Sequence, residues 1–116
     1  MIPLTELESD ILGDMAWDSH GVGEIVGLIR SANPLYADAE IYRDLLELLT
    51  SWIDRGWLSV VAQPAHELPV ASIADLLPYL ERHGISAVSL DSAVPLPEID
   101  LTRQAFVDVE WLRAVQ

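Results

Sequence analysis

Apolar residues recur at helical spacing in three successive stretches of the N-terminal half. In "LTELESDILGDMAW" the residues Leu4, Leu7, Ile11, Leu12 and Met15 share one face, and Thr5 precedes Glu8 at the spacing of a capping box, which predicts a helix over about residues 5–16. "DSHG" breaks the pattern, and "GVGEIVGLIRSANP" resumes it with Val22, Ile25, Val26 and Ile29 until Asn33-Pro34 ends the second helix. Asp38 is a natural N-cap for a third helix running to Arg55, with Gly56 as the residue just past its end.

The period changes after Gly56. "WLSVVAQ" (57–63) reads as a strand stopped by Pro64, and "PAHELP" as a loop. Ser72 with Asp75 opens a fourth helix over 73–83, supported by Ile73, Leu76, Leu77 and Leu80 and closed by His83-Gly84; Pro78 conflicts locally with it. "ISAVSL" (85–90) alternates as a strand, and Pro95 and Pro97 mark a loop. In "FVDVEW" (106–111) Val107, Val109 and Trp111 alternate with Asp108 and Glu110, which favours a strand, although Phe106, Val109, Leu112 and Arg113 also permit a terminal helix. The expected class is α+β: a three-helix half, a strand, an extra helix and further strands.

Three helices with a strand directly behind the third follow the order of a winged helix. The run "DILGDMAWDSHGVGEIVGLIR", then "LLELLTSWIDRGWLSV", resembles the N-terminal half of small acidic winged-helix-like bacterial proteins, an uncharacterised group some of which resemble immunity proteins of toxin systems. The likeness covers residues 8–61 and rests on Glu24-Ile25-Val26 and the Arg55-Gly56-Trp57-Leu58 junction. It implies a winged-helix-like half and carries over no catalytic residue. The helix at 73–83 departs from an ordinary wing and leaves the partner of strand 57–63 open.

A chain of 116 residues is expected to form one domain, 1–116, burying roughly 65% of its unfolded surface. It has no cysteine, hence no disulfide or thiolate metal site, and no apolar run near the ~20 residues that span a bilayer. The start "MIPLTELESD" lacks the basic segment of a secretory signal, so a cytoplasmic location is expected.

Charge changes the picture most. The chain has 19 acids against 6 arginines and no lysine, a formal net of −13. The excess is spread along it, with six acids and one arginine in residues 1–33, five and two in 34–63, and eight and three in 64–116. Every third repels phosphate, which makes nucleic acid and anionic membranes poor partners and a basic protein a better one. The same acidity also keeps a chain with 51% hydrophobic residues soluble.

At 100° per residue, Ile41, Tyr42, Leu45, Leu46, Leu48, Leu49, Trp52 and Ile53 fall within an arc of about 160°. The opposite face is polar, centred on Glu40, Glu47 and Asp54 and flanked by Arg43, Asp44, Thr50, Ser51 and Arg55. In a DNA-reading winged helix this face lies in the major groove, where a basic footprint supplies the affinity. Four acids and two bases point instead to a solvated surface or to an acidic docking face made by Glu40, Asp44, Glu47 and Asp54, extended by Asp14, Asp18 and Glu24. The apolar arc with Trp17, Tyr36, Trp57, Tyr79 and Trp111 is generous for so small a core; these side chains either fill the seam between the two halves or anchor a homodimer.

Catalytic patterns are missing. Gly21, Gly23 and Gly27 match neither G-x-G-x-x-G nor a P-loop, and Gly27 is expected to let the second helix approach a neighbour closely. His20, His66 and His83 form no metal-ligand pair, although Asp18 with His20 offers two donors on one turn, and His83 suits a helix C-terminus. No serine sits in a nucleophile elbow. The expected function is therefore a non-enzymatic, cofactor-free protein-interaction module of the immunity or antagonist type; the alternative is a dimeric winged-helix regulator that binds DNA.

Overall fold

The computed structural model describes residues 3–61 and 70–115. The last two residues of the strand expected at 57–63, and the whole "PAHELP" loop with His66, lie outside the described residues. The class is α+β. Helix α1 (Glu6–Met15) is followed by a two-residue strand β1 (His20–Gly21), helices α2 (Val22–Ala32) and α3 (Asp38–Asp54), and strand β2 (Leu58–Val60). A 3₁₀ turn (Ile73–Asp75) leads into α4 (Leu76–His83), a second 3₁₀ turn (Gly84–Ala87) follows, and then come β3 (Glu98–Leu101), α5 (Arg103–Asp108) and α6 (Leu112–Val115).

Local chemistry sets the helix ends. The capping box of α1 forms as expected: the Glu8 N–H donates to Thr5 Oγ1 at 3.1 Å and the Thr5 N–H to Glu8 Oε1 at 3.2 Å. Helix α3 starts one residue differently, because Ala37 is the cap and its N–H is taken by Glu40 Oε1 at 3.2 Å; Asp38 is the first helical residue. At the far end Gly56 adopts φ +76°, the Gly56 N–H bonds the Ile53 carbonyl at 2.9 Å, and the Trp57 N–H reaches back to the Trp52 carbonyl at 3.0 Å. That paired return is a Schellman motif, and it turns the chain straight into β2. In α4 the conflict at Pro78 dissolves, since the helix proper begins at Leu76 and proline is tolerated in a first turn, where its missing N–H has no intrahelical partner.

The sheet is antiparallel in the order β1-β3-β2, with Ile99 of β3 opposite His20 on one side and Val60 on the other, and Leu101 opposite Leu58. The last strand, β3, is inserted between the first two, so the partner of β2 is β3 although α4 and its flanking 3₁₀ turns lie between them in the chain. Ile99 and Leu101 face the core while Glu98 and Asp100 lie half-buried on the other face, the period of two that a strand requires.

Two expectations fail in this C-terminal half. Residues 85–90 are no strand: the 3₁₀ turn at Gly84–Ala87 ends with the Val88 N–H bonded to the Ile85 carbonyl, and the Val88 carbonyl takes the Arg30 guanidinium at 2.6 Å. Residues 106–111 are helical and irregular rather than extended, because Ala105, Val109 and Leu112 are the buried positions, a spacing of four and three that only helix satisfies. The stretch just after Pro97, to which the pattern assigns no element, holds β3, the central strand.

One core cluster joins the helices to the sheet. Trp52 and Trp57 lie at its centre, both fully buried with ring centroids 6.3 Å apart. Each indole N–H is satisfied by a carboxylate, Trp52 by Glu8 Oε2 at 3.0 Å and Trp57 by Asp108 Oδ2 at 2.8 Å. A buried indole without such an acceptor would carry the desolvation cost of its N–H. Glu8 and Asp108 thereby tie α1 to α3 and α5 to the start of β2. The broad apolar arc of α3 is used within the chain: Ile41, Leu45, Leu48, Leu49 and Trp52 are buried, and Tyr42, Leu46 and Ile53 are half-buried against the same core.

Candidate functional site

The four carboxylates expected to form a docking face on α3 fall into two pairs. Glu40 and Asp44 are half-buried and locally engaged, Glu40 as the cap of α3 and Asp44 as the partner of Arg43, whose Nε and Nη2 both lie 3.2 Å from Asp44 Oδ1. That hydrogen bond and charge hold the Arg43 guanidinium above its ordinary value. Glu47 and Asp54 are exposed. The strictly outward line of the helix is Ala39, Arg43, Glu47, Thr50 and Asp54, with Arg55 beside it, so its charges nearly balance. The acidity of this face is weaker than the residue types alone suggest.

A cleaner acidic line runs along α1. Glu6, Asp10 and Asp14 recur every four residues and all are exposed. Asp18, just beyond the helix, is exposed as well, and so is Glu24 on α2, although its Oε1 lies 3.4 Å from the Gly21 N–H it caps. The four-residue spacing is the sequence signal for this line, of which Asp14 alone was expected to extend the docking face.

Cations are mostly held within the fold. Arg30 bonds Asp38 at 3.2 Å as well as the Val88 carbonyl, Arg55 lies 5.2 Å over the Trp57 ring, and Arg113 donates to the Phe106 carbonyl at 2.8 Å. With Arg43 on Asp44, four of the six arginines have intramolecular partners, and the other two, Arg82 and Arg103, sit on different helices.

Exposed large apolar side chains are spread over the surface, Leu35 and Leu90 among them, and two of them, Trp17 and Trp111, stand near the C-terminal end of α1. Trp17 is 73% exposed and Trp111 42%, and Trp111 leans over Gly13, its ring edge 3.8 Å from where a Cβ would stand. Trp57 and Tyr79, also considered as dimer anchors, are core residues, and Tyr36 is half-buried against the core. Next to Trp17 an open cleft of about 440 Å³ lies between the end of α1, β3 and α5. Its walls are Trp17 and Phe106, its floor includes Met15 and Leu101, and its polar groups include Asp18 and Asp100. Each carboxylate has one oxygen 2.8 Å from the N–H of the following residue, Ser19 or Leu101.

A second, broader groove of about 770 Å³ lies between α2 and residues 87–98, over Gly23 and Gly27. Much of its polar lining is engaged within the chain: Arg30 is held as above, Ser89 and Ser92 accept from the Asp91 and Val94 N–H groups, and Glu98 takes the Ser19 hydroxyl. Gly27 has open space where a Cβ would be, so the expected close helix approach does not occur there. Gly21 itself ends strand β1 and leads directly into α2. The N-terminus of α2 is filled, by Glu24 and by the Pro97 carbonyl on the Val22 N–H at 2.9 Å, leaving it ill-suited to an anion.

His20 lies in β1 with Nε2 3.9 Å from Glu24 and a buried Nδ1 that has no hydrogen-bond partner. His83 ends α4 and packs edge-on to Tyr79, centroids 4.7 Å apart. Asp18 and His20 are not joined by further donors: among the described residues no group of three or more His, Asp or Glu side chains is placed to hold a metal. Among the same residues no helix is long and apolar enough to cross a membrane. Compared with family models, with curated proteins and with solved structures, the chain matches none.

Proposed function

We propose that this chain is a non-enzymatic, cofactor-free acidic module that binds a basic protein, in the manner of an immunity or antagonist protein acting in the cytoplasm. The observation that carries the reading is the imbalance of available charge. Glu6, Asp10, Asp14, Asp18, Glu47 and Asp54 are exposed, whereas Arg30, Arg43, Arg55 and Arg113 are tied to groups of the same chain. A surface of this kind attracts a cationic partner over a range set by the Debye length, about 8 Å at physiological salt, and speeds its encounter. Exposed Trp17 and Trp111 supply apolar area of the type that anchors such contacts.

The test is the salt dependence of the complex with a basic partner captured from the source cell, read by titration calorimetry between about 0.05 M and about 0.5 M salt. Affinity should fall steeply, and fall further when Glu47→Lys and Asp54→Lys are combined with Asp10→Lys and Asp14→Lys. Glu40 is a poor choice for reversal, because losing its cap on α3 would mix folding with binding. Affinity that is unchanged by salt and by the four reversals refutes the reading.

The strand order β1-β3-β2 behind three helices favours a second reading, a dimeric winged-helix regulator. On that reading the outward line of α3 would meet the major groove with Glu47 and Asp54 in it, and Arg43 already committed to Asp44. It requires a gel shift of duplex DNA at low salt by the purified chain, and loss of that shift in Arg43→Ala with Arg55→Ala.

A further inference from the structure

We propose that the cleft between the end of α1, β3 and α5 receives an arginine side chain from the basic partner. The inference rests on the acidic-module reading and adds the place and the chemistry of the contact. The cleft has the three features a guanidinium needs. Trp17 and Phe106 offer flat aromatic walls, against which a planar, weakly hydrated cation gains more than a compact ammonium does. Asp18 and Asp100 bring two negative charges into the same space from different elements, one beyond α1 and one on β3. Met15 and Leu101 line the floor, an apolar surface along which the methylenes of a long side chain can lie.

Charge complementarity selects the occupant. A carboxylate-bearing or apolar segment would leave Asp18 and Asp100 facing a like charge or dry surface, and Asp14, one turn back on α1, adds to the negative field at the entrance. Arg103, the arginine of this chain nearest in sequence to Asp100 and Phe106, is not among the residues that line the cleft, and Arg113 donates to the Phe106 carbonyl. Trp17 at 73% exposure is an aromatic ring with most of its surface wet, the condition under which stacking by a partner's side chain removes the most apolar area.

The experiment titrates the ¹⁵N-labelled full chain at low salt with three capped octapeptides, alternating Arg-Gly, Lys-Gly and Glu-Gly, and follows the four indole N–H signals and the backbone amides. The arginine peptide should shift the Trp17 indole and the amides of Asp18, Ser19, Asp100 and Leu101 saturably, while the buried Trp52 and Trp57 indoles stay put. Trp17→Ala and Asp100→Asn should each weaken it by about tenfold, and Glu47→Lys with Asp54→Lys by much less. Shifts confined to α3, or full affinity in Trp17→Ala, overturn the cleft and leave the acidic-module reading intact. Equal binding by the lysine peptide overturns the choice of arginine, and no saturable binding of either basic peptide overturns both the cleft and the module.

Discussion

Asp108→Ala should destabilise the fold although Asp108 carries no part of the proposed binding surface. Its Oδ2 takes the indole N–H of fully buried Trp57 at 2.8 Å, while Oδ1 accepts from the exposed Gln104 side chain. The Gln104 contact is short-range and wet and contributes little. A hydrogen bond from a buried donor to an ionised acceptor is worth about 1.5–3 kcal/mol, and its removal leaves the Trp57 N–H without a partner in the core. The expected loss is therefore about 2 kcal/mol for Asp108→Ala and about 1 kcal/mol for Asp108→Asn, which keeps a neutral acceptor. For a chain of this length total stability is about 6–17 kcal/mol, so the alanine variant should lower the urea midpoint visibly and Tm by about 8 °C. Trp57→Phe removes the donor, and the double variant completes a cycle whose coupling should be at least about 1 kcal/mol. Urea unfolding followed by far-UV circular dichroism reads all four proteins, independently of the tryptophan being changed. A coupling below about 0.5 kcal/mol would show that water, not Asp108, satisfies Trp57, and would remove the assignment of this carboxylate to the fold.

Three further outcomes are expected. Gly56→Ala should cost about 1–2 kcal/mol purely through backbone strain, because φ is +76° there and nothing lies within 4 Å of the added Cβ; urea unfolding of this variant and of Gly27→Ala, which meets open space within α2 and should be neutral or stabilising, separates strain from crowding. Thr5→Ala should cost about 1 kcal/mol by breaking the capping box of α1, and a loss confined to α1 amides in hydrogen exchange checks its locality. Burial, and secondly the charge of Glu81, raise the Tyr42 phenol above its usual ionisation range near 10, and its hydroxyl donates to the Leu80 carbonyl at 3.2 Å. Because the folded value is the higher one, this stabilisation is complete below about pH 10 and is lost as pH rises through the raised value, so Tyr42→Phe should flatten the alkaline limb of the stability curve.

Much of the helical half was legible from residue order, for reasons that are local. Thr5 and Glu8 form their capping box within one turn, Gly56 takes a positive φ that suits glycine best, and the 3.6 period of Ile41, Leu45, Leu48, Leu49 and Trp52 can be buried by one geometry only. The C-terminal half was not, because its short segments satisfy two periods at once. "FVDVEW" alternates like a strand, yet Ala105, Val109 and Leu112 decide for helix once a core exists to receive them. "EIDL" carries two acids and follows a proline-rich loop, and it becomes the central strand only because β1 and β2 offer backbone partners on both sides. "ISAVSL" alternates as well, but it packs over α2 and α3 with its Val88 carbonyl on Arg30.

The candidate site divides in the same way. Residue types alone determined that the chain is strongly acidic and that its helices present carboxylates, since charge is additive along a sequence. Which carboxylates remain available was decided by the fold: Glu40 went to a cap, Asp44 to Arg43, Glu8 and Asp108 to buried tryptophans, and Asp38 to Arg30. The same packing left Trp17 outside and set Asp18 and Asp100, 82 positions apart in the chain, on one cleft. Hydrogen bonds and burial depend on which distant segments meet, and pattern along the chain carries no record of that meeting.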